Sequence, residues 1–188
     1  MDLLECLNFL KDNGISIAST KHVRGMPEEF PVVLKANVLE HKSEQNLVRI
    51  IHCPGEFGEA WHKMGKTQDI LVQERVSGIE LILGIHTDET FGKVIMAGAG
   101  GIFTQVMMDV SFRAVPLTRQ DASEMIKELR IYEVLKGFRG KSYDLSLVED
   151  AILKLSEIAE NHPEISSLDI NPFIINDRRG VAVDCRIF

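Results

Sequence analysis

Two carboxylates and an amide near the C-terminus could together hold a magnesium ion. Asp169 and Asn171 lie on one predicted strand, and Asp184 lies on the strand that returns beside it. If residues 177–180 form the turn, Asn171 lies opposite Arg186, and Asp184 is a diagonal neighbour on the same face. Oxygen ligands of this kind suit Mg²⁺ that is bound together with substrate phosphates. A solvated outer face of a hairpin would show the same spacing, so both interpretations stay open at this point.

His41 is the histidine whose position indicates chemistry. It opens a His-Lys-Ser segment just after a predicted strand over residues 31–36. A neutral imidazole on a loop can attack phosphorus when a carboxylate orients it. The other histidines are expected to be solvated or hydrogen-bonded, and none of the six has the spacing of a zinc site.

A cluster of glycines offers a second candidate contact for an anion. Gly98, Gly100 and Gly101 follow a predicted strand, and glycine lets backbone N–H groups approach a phosphate closely. The spacing does not match the dinucleotide-binding fingerprint. Gly100 and Gly101 are therefore candidate cofactor contacts, with a tight turn as the alternative.

The elements that must position these residues are short strands and amphipathic helices. Leucines at helical spacing predict a helix over residues 2–12, which Gly14 would end. A second helix is predicted over residues 56–64. Strands are predicted over residues 31–36, 47–52, 69–75, 80–86 and 93–97.

The last third of the chain is expected to contain two capped helices and a hairpin. Thr118 with Asp121, and Ser146 with Glu149, resemble capping boxes at helix starts. Strand material follows over residues 168–187. Strands and helices that do not alternate strictly indicate an α+β fold.

Composition narrows the class of protein. The chain has 188 residues with 21 Lys and Arg against 28 Asp and Glu, a formal charge of −7. That acidic balance argues against general nucleic-acid binding. Three cysteines without paired spacing indicate a reducing compartment, and no apolar run reaches the roughly 18 residues of a membrane span. We expect a cytoplasmic protein with no membrane partner.

Several segments together resemble the ATP-grasp family, and within it the beta subunit of the ADP-forming acetate–CoA ligases (NDP-forming acyl-CoA synthetases). The pattern is more distantly similar to the beta subunit of succinyl-CoA synthetase. The segments are FPVVLK at 30–35, HKS at 41–43, LVQERVSGIELILGIHTDETFGKVIMAGAGGIF at 71–103, DVSFRAVPLT at 109–118, LDINPF at 168–173 and AVDCRI at 182–187.

The resemblance implies an ATP-grasp fold in which two α+β lobes hold MgATP or MgADP between them. Residues 1–75 would form a small, abbreviated N-terminal lobe, and residues 76–188 a C-terminal lobe with the magnesium-binding hairpin. The resemblance assigns phosphate contact to Lys35, adenine contact to Gln73, Glu74 and Val76, magnesium to Asn171 and Asp184, support of a phosphohistidine to Asp169, and phosphate relay to His41.

The implied reaction is acyl-CoA + ADP + phosphate ⇌ acid + CoA + ATP, with the phosphoryl group passing through His41. A CoA-binding alpha subunit would complete the enzyme, in an assembly such as α₂β₂. Two alternatives remain. One is a non-catalytic ATP-grasp protein that binds nucleotide or a partner, which the absence of the family's usual glycine pair after the HKS segment favours. The other is an ATP-grasp ligase that uses acyl phosphate without a phosphohistidine.

Overall fold

The chain folds into two lobes, each built from one antiparallel sheet and the helices that cover it. The computed structural model describes residues 1–38, 47–64, 69–101, 109–137 and 143–188. Strands and helices follow one another without strict alternation, so the expected α+β class is confirmed. No helix within these ranges is long and apolar enough to cross a membrane.

The N-terminal helix, α1 (Leu3–Asp12), forms where the leucine spacing predicts it. Asp2 is its N-cap and forms a capping box with Glu5. The chain leaves the helix through Gly14, which adopts a φ of 84° that glycine tolerates best. The buried face of α1 packs into the core of the larger lobe, although the helix precedes the small sheet in sequence. Residues 1–75 thus contribute to both lobes, and the division at residue 75 stays a prediction.

The smaller lobe is a four-stranded sheet covered on one face by a helix. Its strand order is β1-β4-β2-β3, and all neighbours are antiparallel. Alternate residues of β2 and β4 pack against the helix and form a separate small core. The elements are β1 (Thr20–His22), β2 (Val32–Ala36), β3 (Val48–Ile51), α2 (Pro54–Met64) and β4 (Ile70–Glu74).

The larger lobe is a six-stranded antiparallel sheet with helices on one face. Its path is β10-β8-β5-β6-β7, and β9 also pairs with β8. The helices bury the main hydrophobic core against this sheet, which leaves the opposite face toward the smaller lobe. The elements are β5 (Ile79–Asp88), β6 (Gly92–Ala99), β7 (Val110–Ala114), α3 (Arg119–Glu128), α4 (Tyr132–Gly137), α5 (Ser146–Asn161), β8 (Leu168–Ile175), β9 (Gly180–Ala182) and β10 (Cys185–Ile187).

One of the two predicted capping boxes is present and the other is wrong. Thr118 caps α3 and exchanges both bonds with Asp121. At α5 the N-cap is Leu145, which has no side chain able to cap the helix. Ser146 instead donates from its hydroxyl to Asp144 Oδ1 at 2.6 Å. The serine is engaged by a local turn, so it is the first residue of the helix and not its cap.

The turn of the C-terminal hairpin is shorter than the sequence predicts. Asn176 N donates to Arg179 O at 3.0 Å, so residues 177 and 178 alone form the loop. The Asn176 side chain selects this tight turn, because its Oδ1 accepts from the backbone N–H groups of Arg178 and Arg179. The expected turn over residues 177–180 was therefore wrong, and the strand register moves by two residues.

Two kinds of contact join the lobes near this hairpin. The segment after α1 runs beside β9, where Ala18 N donates to Ala182 O and Ala182 N donates to Ser16 O, both at 2.9 Å. In addition, Arg179 binds the Glu74 carboxylate through both terminal nitrogens, at 3.0 and 2.7 Å. This two-point ion pair holds the pKa of Glu74 below its usual range; partial burial opposes the shift.

Replacing Arg179 by alanine should lower the free energy of unfolding at pH 7 by at most about 1 kcal/mol, since both side chains are partly exposed. Because the folded-state pKa of Glu74 is lowered, the pair stabilises the fold above the unfolded pKa of glutamate, about 4.3. That contribution is lost as the pH falls through the folded-state pKa. Urea unfolding at pH 7 and pH 3 checks this. Arg178→Ala, which removes an exposed arginine of the same turn, is the control. If Arg179→Ala lowered the free energy of unfolding equally at both pH values, the expectation would be contradicted.

Candidate functional site

The backbone carbonyl of Val183, in the larger lobe, accepts hydrogen bonds from two side chains of the smaller lobe. Lys35 Nζ donates to it at 2.6 Å, and Gln73 Nε2 donates at 3.0 Å. Both donors lie on the smaller sheet, whereas Val183 lies between β9 and β10. A carbonyl oxygen has two lone pairs and can accept both bonds. Two residues that the resemblance assigns to the nucleotide therefore contact the segment that carries Asp184.

The alternation of β2 explains why a lysine points toward the larger lobe. Val32, Leu34 and Ala36 face the core under α2, so Lys35 faces the larger lobe. Only 5% of Lys35 is exposed. A buried ammonium group is costly unless strong acceptors surround it, so this position favours an oxygen-rich or anionic neighbour. A phosphate group is a neighbour of that kind.

Gln73 and Glu74 are both engaged at the end of β4. Gln73 Nε2 also donates to Thr20 Oγ1 at 2.8 Å, which fixes the orientation of its amide. The backbone N–H of Glu74 donates to Ser19 O at 2.9 Å, and the Glu74 carboxylate accepts from Ser19 N at 2.7 Å. The N–H of Glu74 is thus used within the protein. An adenine contact from this segment would use other backbone groups.

Val76 follows this strand and packs into a small apolar cluster beside Val183. The cluster joins both lobes, because its other buried members come from the segment before β1 and from the C-terminal hairpin. Only Val76 is partly buried, so it is the apolar side chain here that a flat base could contact. The buried members are Ala18, Ile174, Val181 and Val183.

Asn171 and Asp184 lie opposite each other, closer than the sequence predicts. Ile170 pairs with Cys185 and Phe173 with Ala182, so the same register continues on both sides of the pair. Val183 N also donates to Pro172 O at 3.2 Å, within the same register. Directly opposed residues have Cβ atoms roughly 5 Å apart. The predicted shared face is retained, because the register error was two residues and side chains alternate with a period of two.

A bulge in β8 separates these polar residues from the core. Between the pairs of Leu81 with Phe173 and of Leu83 with Ile170, Asn171 and Pro172 together oppose a single residue of β5. Asn171 is exposed and Asp184 is partly buried. The bulge thus presents the Asn171 amide, and the segment between β9 and β10 presents the Asp184 carboxylate opposite it.

This pair fits a magnesium ion that shares its coordination with phosphates. Among the described residues, no group of three or more His, Cys, Asp or Glu side chains could hold a metal by itself. Mg²⁺ is commonly bound through one or two protein oxygens and the oxygens of a substrate phosphate. Asn171 and Asp184 supply hard oxygen donors in that number.

Asp169 lies on the same face, directly opposite Arg186 on β10. Burial raises the pKa of Asp169, the charge of Arg186 and any positive charge on His86 lower it, and Asp184 raises it further. The net pKa shift is upward. Asp169 is therefore a partly buried carboxylate within a charged group of residues, an environment typical of functional sites.

Gly100 and Gly101 line a different cavity, at the end of β6. This cavity, of about 630 Å³, lies between the ends of β5 and β6 and the residues that join α3 to α4. Gly100 N donates to Glu80 O at 2.8 Å, and a Cβ on Gly101 would lie 2.6 Å from the Glu80 carboxylate. The structure does not bring these glycines against Lys35 or Asn171, and their contact with a cofactor stays a prediction.

His41 lies outside the described residues, so its place relative to Asp169 stays a prediction. Neither Arg179 nor the carbonyl of Val183 is predicted from the sequence as a contact between the lobes. A contact made by a backbone oxygen cannot be inferred from residue types. Arg179 lies in the predicted hairpin turn, where an arginine is not unusual. Glu74 and Arg179 are 105 positions apart in sequence, and no spacing rule connects them.

Comparison with known proteins identifies the family. The model of the ATP-grasp domain family matches residues 5–188. An acetate–CoA ligase (ADP-forming) II of Archaeoglobus fulgidus is 39% identical over 84% of this chain, which spans 24% of that protein's length. The beta subunit of an acetate–CoA ligase (ADP-forming) I of Pyrococcus furiosus is 34% identical; the match covers 97% of this chain and 89% of the subunit.

Solved structures agree with this assignment. An acetyl-coenzyme A synthetase of Candidatus Korarchaeum cryptofilum, in complex with coenzyme A and Ca-AMPCP, superposes with a TM-score of 0.91 at 32% identity. The superposition covers 100% of this chain and 92% of the other. This chain therefore belongs to the ATP-grasp family, in the group that contains the beta subunits of ADP-forming acetate–CoA ligases.

Proposed function

We propose that this chain is the nucleotide-binding beta subunit of an ADP-forming acyl-CoA synthetase, which catalyses acyl-CoA + ADP + phosphate ⇌ acid + CoA + ATP. The observation that supports the proposal most directly is that residues of both lobes meet at Val183. Lys35 and Gln73 from the smaller lobe bind the carbonyl next to Asp184, and Asn171 lies opposite Asp184. A buried cation thus lies next to the segment that carries one candidate magnesium ligand, and the second candidate lies opposite that ligand.

Each residue has a defined task in phosphoryl transfer. The nucleotide phosphates would occupy the space where Lys35 now contacts Val183, and its ammonium would neutralise their charge. Asn171 and Asp184 would hold Mg²⁺, which neutralises phosphate charge when it is bound. Val76 would contact the adenine, and the buried cluster that it packs against would hold it in place.

His41 would carry the phosphoryl group between the partner subunit and the nucleotide. In the direction of ATP synthesis, an oxygen of the β-phosphate of ADP forms a bond to phosphorus. The bond from phosphorus to the imidazole nitrogen breaks, and that nitrogen keeps the electron pair. Asp169 would accept a hydrogen bond from the other imidazole nitrogen and so orient the ring.

The partner would be a CoA-binding alpha subunit that forms acyl phosphate, in an assembly such as α₂β₂. The Pyrococcus relative is itself a beta subunit, and the longer Archaeoglobus relative is about four times the length that this chain spans. The Korarchaeum synthetase binds coenzyme A. The free cysteines Cys6, Cys53 and Cys185 support a reducing compartment, the cytoplasm.

A second candidate is an ATP-grasp protein that binds nucleotide or partner without turnover. The observation in its favour is the sequence from Glu44 to Leu47, which contains no glycine after the HKS segment. Backbone N–H groups approach phosphates most freely where glycine is present. The two candidates differ in whether a phosphorylated histidine forms.

Replacing Asp184 by asparagine should weaken the binding of MgADP by roughly tenfold or more, a change of about 1.4 kcal/mol or above. The variant loses the only formal negative charge of the Asn171–Asp184 pair, and a neutral amide binds Mg²⁺ less strongly than a carboxylate does. Calorimetric titration of MgADP and MgATP into the isolated chain measures this change.

Asp177→Asn is the matched control for that titration. It removes the same charge from the exposed turn of the same hairpin and should leave the affinity unchanged. Titrations without magnesium show how far binding depends on the metal. Equal affinities for both variants would contradict the assignment of Asp184.

Replacing His41 by alanine should abolish acyl-CoA-dependent ATP formation in the presence of the alpha subunit, because no other nitrogen would carry the phosphoryl group. MgADP affinity should stay within about twofold, since the relay histidine is not a nucleotide ligand in this mechanism. Phosphate incorporation into the chain from labelled ATP gives a second measurement. Turnover that survives the substitution would favour direct use of acyl phosphate, and an absence of turnover and phosphorylation in the unmodified chain would favour the second candidate.

A further inference from the structure

His86 on β5 carries a buried polar atom for which the mechanism above has no use. Within the part of the chain that the structure describes, its Nε2 has no hydrogen-bond partner and is closed off from solvent. Leaving such an atom unpaired costs roughly 1–3 kcal/mol. His86 lies on the face of the sheet that carries Asp169, away from the helix-covered core, because its neighbour Ile85 packs into that core.

Asp169 is the acceptor that could pair with this nitrogen. It is a partly buried carboxylate, and within the described ranges no hydrogen bond to its oxygens is present. Its neighbours Arg186 and His86 act on it electrostatically from either side. A carboxylate accepts hydrogen bonds and a ring N–H donates them, so each group can satisfy the other.

Gly84 brings the two groups together. It pairs directly with Asp169 in the ladder between β5 and β8. The ring of His86 leans back over this glycine, so that its Nε2 would lie 3.6 Å from a Cβ at position 84. Directly opposed Cβ atoms are roughly 5 Å apart. Nε2 therefore lies beside the position across from Asp169, within reach of a rotation of the two side chains.

We propose that His86 is a positioning residue for Asp169: the Nε2–H of His86 donates to one carboxylate oxygen, which turns the other oxygen toward the imidazole that carries the phosphoryl group. This role rests on the function proposed above. His86 touches neither nucleotide nor phosphate in this arrangement and acts through Asp169. Arg186 lies opposite the carboxylate on β10, whereas His86 lies on the β5 side and sets the direction of the carboxylate.

The hydrogen bond itself can be tested without catalysis. In ¹⁵N-histidine spectra of the full chain at pH 7.5, His86 should carry a proton on Nε2 that exchanges slowly with water. His86→Gln assigns the resonance, and Asp169→Asn should shift it. An Nε2 without a proton, or a resonance that Asp169→Asn leaves unchanged, would overturn the hydrogen bond.

The positioning role is tested by kinetics with the alpha subunit present. His86→Leu, which keeps the approximate size but removes the donor, should slow phosphoryl transfer roughly 10- to 100-fold. MgADP affinity should stay within about twofold, because the nucleotide ligands are untouched. His86→Gln, whose amide N–H can replace the ring N–H, should restore part of the rate.

A merely structural role predicts a different pattern. His86→Leu would then leave the transfer rate unchanged, or would lower nucleotide affinity and rate together with no recovery in His86→Gln; either result overturns the positioning role. If the unmodified chain forms no phosphoprotein with its partner, the proposed function falls and the relay role of His86 falls with it. The histidine spectrum still decides the hydrogen bond in that case.

Discussion

The carbonyl of Val183 is the constraint on which the site depends. β9 and β10 pair with the same strand, β8, in one continuous register, so the two residues between them cannot slide. The carbonyl oxygen of Val183 therefore has a fixed position facing the smaller lobe. Lys35 and Gln73 both donate hydrogen bonds to it. Asp184 is the next residue after Val183. The hydrogen bond from Lys35 to Val183 therefore also limits the distance between Lys35 and the Asp184 carboxylate.

The bulge in β8 lets one strand pack into the core and also expose a polar residue. Ile170 before it and Phe173 after it both face the helix-covered core, although strict alternation would put them on opposite faces. The extra residue lets the strand contribute to the core on both sides of the bulge. Asn171 stays exposed on the opposite face of the sheet. A polar residue thus reaches the site without burial of an unpaired amide, and the strand keeps its partners on both edges.

Much of the fold is predictable from short-range sequence patterns. The leucines of α1, the Thr118 capping box and the strands around Lys35 all appear where residue types and spacing place them. The failures were local as well. The hairpin turn is two residues shorter because the Asn176 side chain closes it, and Ser146 bonds to Asp144 in place of capping α5. The shared face of Asn171 and Asp184 survived the register error only because that error was even.

The sequence by itself determined the α+β class and the family, and it indicated the candidates for a phosphate-binding cation and for two magnesium ligands. These follow from motifs and alternation, which are properties of neighbouring residues. Tertiary structure alone decided which groups meet. Lys35 contacts a carbonyl 148 positions away, Glu74 binds an arginine 105 positions away, and α1 packs into the lobe formed by the far end of the chain. Such contacts depend on how two sheets pack against each other, and no short-range pattern records that packing.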